Sequence, residues 1–175
     1  MAVDRRGTIG WFSPDPRALI PLDERFHVSH GLRRALKKKK FAVTFDCDFD
    51  SVIRACAKSH GDTWISEEII ESYCALHRAG FAHSIETRDV SGKIVGGLYG
   101  AHIGGAFFGE SMFHRATDAS KVALVTLVEC MRERGFLLLD TQWTTPHLKQ
   151  FGTHEIARAE YLRLLRRAVS KQCEF

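Results

Sequence analysis

The stretch Gly109-Glu110-Ser111-Met112-Phe113-His114-Arg115-Ala116-Thr117-Asp118-Ala119-Ser120-Lys121 concentrates the groups most able to do chemistry in this chain. Glu110 follows two phenylalanines, Phe107 and Phe108, at what reads as a strand end. An unpaired carboxylate in an apolar wall is costly. Glu110 therefore needs a partner: a cationic substrate group, or Arg115 or Lys121 as a structural counter-ion. Downstream, an apolar strand ends in Asp140-Thr141-Gln142, where strand alternation predicts Asp140 and Gln142 on one face and Thr141 on the other. An Asp can orient or polarise a neighbour, and a Gln offers both an acceptor and donors. Together they can hold a nucleophilic amine beside a carbonyl, or merely cap nearby backbone. Leu98, Phe107, Phe108, Met112, Phe113, Leu124 and Leu139 surround these positions. They either line a pocket for an unbranched or aromatic side chain, with methionine adapting to its shape, or form ordinary core.

Other chemistries find little support. The five cysteines (Cys47, Cys56, Cys74, Cys130, Cys173) are odd in number and form no CxxC pair, so neither a disulfide framework nor a zinc site is indicated. His27/His30 and His147/His154 lack the spacing of a metal motif, and His77 and His83 read as satisfied core residues. No metal is expected. There is no GxSxG elbow, no Walker A sequence and no GxGxxG fingerprint.

Charge is concentrated rather than spread. Arg33, Arg34, Lys37, Lys38, Lys39 and Lys40 place six positive charges within eight residues, whereas the rest of the chain has 19 basic against 21 acidic side chains. One basic segment on a near-neutral body is the footprint of a polyanion contact. A solvated, lysine-rich helix end would look the same. Apolar content of 45% suits a globular fold, and no apolar run approaches the roughly 18 residues that cross a bilayer. Met1-Ala2-Val3-Asp4-Arg5-Arg6 has no apolar core that would make it a secretory signal. Cytoplasmic residence, no membrane contact and a monomeric state are expected.

The elements that must position these residues follow from periodicity and punctuation. Residues 1–25 read as irregular, with Trp11-Phe12-Ser13-Pro14-Asp15-Pro16 a loop whose aromatics want a surface to lie against. Helices are predicted over Ser29–Lys39, over Phe49–Lys58 and from a Ser66 cap to Gly80. Strands are predicted over Phe41–Phe45, Ala82–Arg88, Ile94–Ala101 and Ala106–Glu110, with a turn at 90–93. Asp118 caps a helix to Arg134, and a strand runs from Phe136 to Gln142. A short helix or turn lies between Pro146 and Gly152, and a last helix over Ala157–Val169. The dense glycines Gly96, Gly97, Gly100, Gly104, Gly105 and Gly109 mark bulges, close approaches or hairpin turns. The order is an α+β layout, a mixed sheet with an antiparallel meander flanked by helices. It resembles the acyltransferase fold of the GCN5-related N-acetyltransferases.

The motifs, taken together, make the chain similar to the leucyl/phenylalanyl-tRNA–protein transferases. The resemblance runs through Trp11–Arg17, Asp62-Thr63-Trp64-Ile65, His83-Ser84-Ile85-Glu86, Gly96-Gly97-Leu98-Tyr99-Gly100, the Gly109–Lys121 block and Asp140-Thr141-Gln142 to Ile156-Ala157-Arg158. It implies transfer of leucine or phenylalanine from its tRNA onto proteins with N-terminal Arg or Lys, creating a degradation signal. It implies catalytic roles for Asp140, Gln142 and Glu110. It implies a substrate pocket from Leu98, Phe107, Met112, Leu124 and Leu139, with Trp64 near the acceptor end. It implies a tRNA surface at Arg33, Arg34, Lys37, Lys38 and Lys40. The aminoacyl-tRNA is a co-substrate, so no cofactor is expected. Family members carry a longer segment before the Trp-Phe-Ser-Pro block, including an aromatic stretch for the terminal adenosine. Residues 1–25 are thus expected to be the remnant of a longer N-terminal region, with one aminoacyltransferase domain over 26–175. Two other readings share these features. An acetyl-CoA-dependent N-acetyltransferase fits the fold, but Arg115–Ser120 lacks the glycine turn that binds pyrophosphate. A non-catalytic tRNA-binding protein would use the basic cluster alone.

Overall fold

The computed structural model describes residues 10–59 and 63–175. The Met1–Arg6 reading and Asp62 of the Asp62–Ile65 motif lie outside the described residues. The chain order is β1 (Arg17–Ile20), α1 (His30–Lys37), β2 (Ala42–Phe45), α2 (Phe49–Ser59), α3 (Glu67–Arg78), β3 (Ala82–Arg88), β4 (Ile94–Ile103) and β5 (Ala106–His114). Then follow α4 (Ala119–Glu133), β6 (Leu138–Gln142), α5 (Pro146–Lys149), β7 (His154–Ile156) and α6 (Arg158–Val169). The strands form one mixed sheet in the order β2-β3-β4-β5-β6-β1-β7. Its pairs are antiparallel except β5 with β6. This is the α+β meander layout that the sequence predicts.

Local chemistry explains the helix ends. Ser29 and Ser66 accept hydrogen bonds from the amides of Leu32 and Ile69, satisfying donors that a helix N-terminus leaves free. Gly80 and Gly135 adopt the left-handed backbone that stops α3 and α4. Asp118 behaves otherwise than expected. It precedes α4 in a left-handed conformation, makes no side-chain cap, and pairs with Lys121 at 3.1 Å.

Helices cover both sheet faces. α4 buries Val122, Leu124, Val125 and Val128 against Ile85, Leu98, Phe107 and Leu139, with α1 docking Leu32 at its flank. α2 and α3 pack Val52, Ile53, Ile69 and Ile70 on Ala82, Tyr99 and Phe113. α6 covers Leu19, Ala106 and Leu138 through Tyr161 and Ala168. A Cβ on Gly96 would collide with Ala119 of α4, and one on Gly97 would meet Ile85 O at 2.7 Å and, farther out, Val52 of α2. The glycine pair thus lets helices approach β4 closely from both sides.

Two strand readings need correction, and one strand goes unread. Residues 17–20 are not irregular: β1 lies inside the sheet between β6 and β7. Its strand character comes from pairing with distant partners, not from local pattern. β5 runs on to His114, so Glu110 sits within a strand rather than at its end. β7, a three-residue strand, is too short to be read from alternation.

Two β-bulges and one divergence shape the sheet's centre. Tyr99 pairs with Ser111 and Gly100 with Gly109, which leaves Glu110 as the extra residue. Leu19 pairs with Asp140 and Ala18 with Gln142, which leaves Thr141 extra. Bulges bend a strand and redirect side chains. β5 and β6 pair only over 106–108 against 138–140, and beyond that point a cavity opens between them.

A Cβ on Gly100 would strike the Phe108 carbonyl and the Phe107 ring. Gly100→Ala is therefore expected to lower stability by about 1–3 kcal/mol, the usual range for overpacking. Urea unfolding monitored by tryptophan fluorescence would measure it.

Candidate active site

The cavity between the diverging strands has a volume of about 980 Å³, the size range of a small-molecule or cofactor site. Its apolar wall is built by Leu98 of β4, Met112 of β5, Leu124 and Leu127 of α4, and Leu139 of β6. Trp64 and Phe108 also line it, as do Glu110 and Gln142. Five of the six substrate-pocket residues implied by the resemblance are thus brought together. Phe107 is the exception: it is fully buried behind the wall and stacks on Phe175 at 5.3 Å. Its neighbour Phe108 takes the lining position. Phe113 also turns away, into the core under α2.

Glu110 projects into this cavity because the bulge at Gly100/Gly109 lets it leave the ladder. Burial raises its carboxyl above the ordinary range, opposed by a hydrogen bond from Tyr73, and the nearby Asp140 adds to the rise. Neither candidate counter-ion reaches it: Arg115 lies over the Phe113 ring and Lys121 pairs with Asp118. Tyr73 is instead its hydrogen-bond partner, with Arg17 a weaker electrostatic influence. Tyr99, edge-on to Tyr73 at 5.4 Å, also borders the cavity, and its buried hydroxyl has no hydrogen-bond partner among the described residues.

Asp140 is fully buried and does not line the cavity. Arg17 grips its carboxylate with Nε at 3.0 and 3.1 Å and Nη2 at 2.7 Å. The Tyr161 hydroxyl donates at 2.6 Å and the Gln142 amide at 2.8 Å. Tyr161 also receives the Arg17 guanidinium over its ring at 4.9 Å. The expected common face for Asp140 and Gln142 is not found. Thr141 is the bulged residue and Gln142 has φ of 60°, so Thr141 and Gln142 both line the cavity while Asp140 faces α6. A single carboxylate thus holds β1, α6 and the turn that aims Gln142. Arg17 ends the quoted Trp11–Arg17 block, but its role, like that of Tyr161, carries no local signal.

The rim is aromatic. Phe12 meets Trp143 edge-on at 6.4 Å, and both border the cavity. Trp11 lines the same rim yet remains 95% exposed, so it lacks the packing surface expected for it. Arg33, Arg34, Lys37, Lys38 and Lys40 are all exposed on α1 and the turn after it. Among the described residues, no group of three or more His, Cys, Asp or Glu is placed to hold a metal. The N-terminus of α4, where a pyrophosphate would dock in an acetyl-CoA enzyme, is preceded by the acidic Asp118, whose charge beside that point argues against that reading.

The sequence pattern of the family described as "Leucyl/phenylalanyl-tRNA protein transferase" matches residues 19–166. The chain belongs to this family. The leucyl/phenylalanyl-tRNA–protein transferase of Akkermansia muciniphila is 56% identical, over 98% of this chain and 90% of its own length. That of Herpetosiphon aurantiacus is 53% identical, over 99% of this chain and 90% of its own. The chain is accordingly an aminoacyltransferase. The solved structure of L-PGS from Bacillus licheniformis aligns over 79% of this chain and 50% of that one, with a TM-score of 0.50 and 16% identity, a likeness of fold alone. No helix among the described residues is long and apolar enough to cross a membrane.

Two consequences can be measured. Arg17→Met leaves a buried carboxylate without its ion-pair partner, and is expected to lower stability by about 3–5 kcal/mol in urea unfolding. Glu110 acts with the opposite sign. Its folded pKa is raised, so the native state binds the proton more tightly and stability falls as pH rises toward and through that value. Glu110→Gln should therefore melt higher than the parent at pH 8 and match it near pH 4, as read by differential scanning calorimetry.

Proposed function

We propose that this transferase moves leucine or phenylalanine from leucyl- or phenylalanyl-tRNA to the α-amino group of proteins beginning with Arg or Lys, making an N-degron. The observation that carries the proposal is the apolar cavity at the β5/β6 divergence, with Glu110 and Gln142 in its wall. Leu98, Met112, Leu124, Leu127 and Leu139 accommodate an unbranched aliphatic or aromatic side chain. They discriminate against misfit groups by about 1–3 kcal/mol each. Trp11 and Trp64 offer faces on which the terminal bases of the acceptor end stack, and Arg33, Arg34, Lys37, Lys38 and Lys40 hold backbone phosphates. Glu110 receives the positive side chain of the acceptor's first residue.

The aminoacyl ester is already activated, so the reaction needs neither ATP nor metal nor another cofactor. The neutral peptide amine attacks the ester carbonyl carbon. A C–N bond forms, the C–O bond to the ribose breaks, and the amine's proton ends on the ribose oxygen. An α-amine pKa of about 7.7–8.0 leaves an appreciable neutral fraction near pH 7. The chain supplies position and electrostatics. Gln142 hydrogen-bonds the amine. Asp140 orients Gln142 from behind, and the donors from Arg17, Tyr161 and Gln142 already occupy its carboxylate. The ribose hydroxyl, rather than Asp140, is then the route for the proton. The enzyme works as a monomer in the cytoplasm, where charged tRNA is found.

Radiolabelled leucine on charged tRNA, offered with peptides beginning Arg, Lys, Asp or Ala, should label the Arg and Lys peptides alone. Gln142→Ala should lower kcat by about 10²–10³-fold, the effect of removing one aligned amide, while leaving tRNA affinity intact. Labelling of Ala peptides, or full activity without Gln142, would overturn the reading.

A further inference from the structure

A second cavity, of about 420 Å³, lies between α2 and the turn joining β3 to β4. Arg54, Lys58, Arg88, Lys93 and Arg115 line it, against Asp48 and Asp50. The acids are largely committed. Asp50 pairs with Arg54 at 2.9 Å, and Arg54 also reaches Glu67 at 2.8 Å, so that cation is neutralised twice over. Asp48 accepts the Ser51 amide at the start of α2. Lys58, Arg88, Lys93 and Arg115 make no ion pair with any described residue. Two of them are held in place: Arg88 donates to Thr44 Oγ1 at 3.3 Å and Gly92 O at 3.1 Å, and Arg115 lies over the Phe113 ring at 5.3 Å. Lys58 and Lys93 are exposed. With Arg54 set against Asp50 and Glu67, the four remaining cations outnumber Asp48 in the wall and Asp89 beside Lys93, so the concavity is net positive and suits a phosphate-bearing ligand.

Position identifies which ligand. Arg88 is the register partner of Ala42, so the cavity's edge continues directly from the Lys37–Lys40 run into β2. At its other side Arg115 follows His114, which lines the catalytic cavity. Basic groups therefore extend from α1, past the Ala42/Arg88 pair, to the end of β5 beside the transfer site. We infer that this second cavity is a phosphate-binding site that grips the backbone of the same tRNA whose aminoacyl end enters the catalytic cavity. The inference rests on the transferase reading. RNA held at both α1 and this cavity straddles the β2–β3 edge, and the two contacts set the angle at which its end enters the site.

The test is filter binding of leucyl-tRNA to the parent, to Lys58→Gln/Lys93→Gln and to Arg33→Gln/Lys37→Gln, across about 50–200 mM salt, with single-turnover transfer in parallel. For Lys58→Gln/Lys93→Gln, Kd near 0.1 M salt should rise roughly tenfold, and the slope of log affinity on log salt should flatten by about 1–2. Its single-turnover transfer at subsaturating leucyl-tRNA should fall in parallel, because the lost contact loosens the hold on the same RNA. An unchanged Kd and slope, beside a weakened Arg33→Gln/Lys37→Gln control, would overturn this inference and leave the transferase reading standing. A parent protein that neither binds nor uses leucyl-tRNA would overturn both.

Discussion

The buried Asp140 carboxylate is the constraint around which the rest is arranged. A charge with no access to water must be matched by donors, and here they come from three separate elements: Arg17 of β1, Tyr161 of α6 and the backbone of Gln142 at the end of β6. Satisfying it joins the start of the described chain to its last helix. It also stabilises the left-handed turn at Gln142, a conformation that a glutamine would otherwise adopt at some cost. Bidentate contact from a planar guanidinium suits this duty better than a lysine could, because geometry as well as charge is fixed.

From that clamp the shape of the site follows. The bulge at Thr141 and the one at Glu110 face each other across the divergence of β5 and β6. Each turns out of the ladder a polar group that regular pleating would have aligned differently. The apolar wall between them lowers the local dielectric, so dipoles and charges aimed into the space act more strongly than in water. Glu110 shows the cost: it resists ionisation where it stands, the sort of local instability that binding sites retain.

Much of this architecture is readable from local sequence, where the physics is local. Ser29 and Ser66 as caps, Gly80 and Gly135 as stops, and the β3–β4–β5 meander each depend on a few neighbouring residues. So does the grouping of Leu98, Met112, Leu124 and Leu139, since strand and helix periodicity decide which side they take. What escapes the sequence is set by distant partners. β1 looks irregular because its pairing lies beyond residue 138, and Arg17 meets Asp140 across 123 positions. The parity of Asp140 and Gln142 fails because a bulge is a property of two strands, invisible in one. Phe107 and Phe108 exchange roles because Phe175 fills the space behind the wall.

The strand order carries a consequence for the way the protein is made. β1 emerges from the ribosome well before its two neighbours in the sheet, β6 and β7, with four strands and four helices made in between. Until then its edges stay unsatisfied, and such long-range closure is intrinsically slow. The Arg17 guanidinium likewise waits for Asp140 and Tyr161. A nascent chain therefore has no clamp and no aimed Gln142 until β6 and α6 have been made, and the cavity between β5 and β6 takes its shape only then.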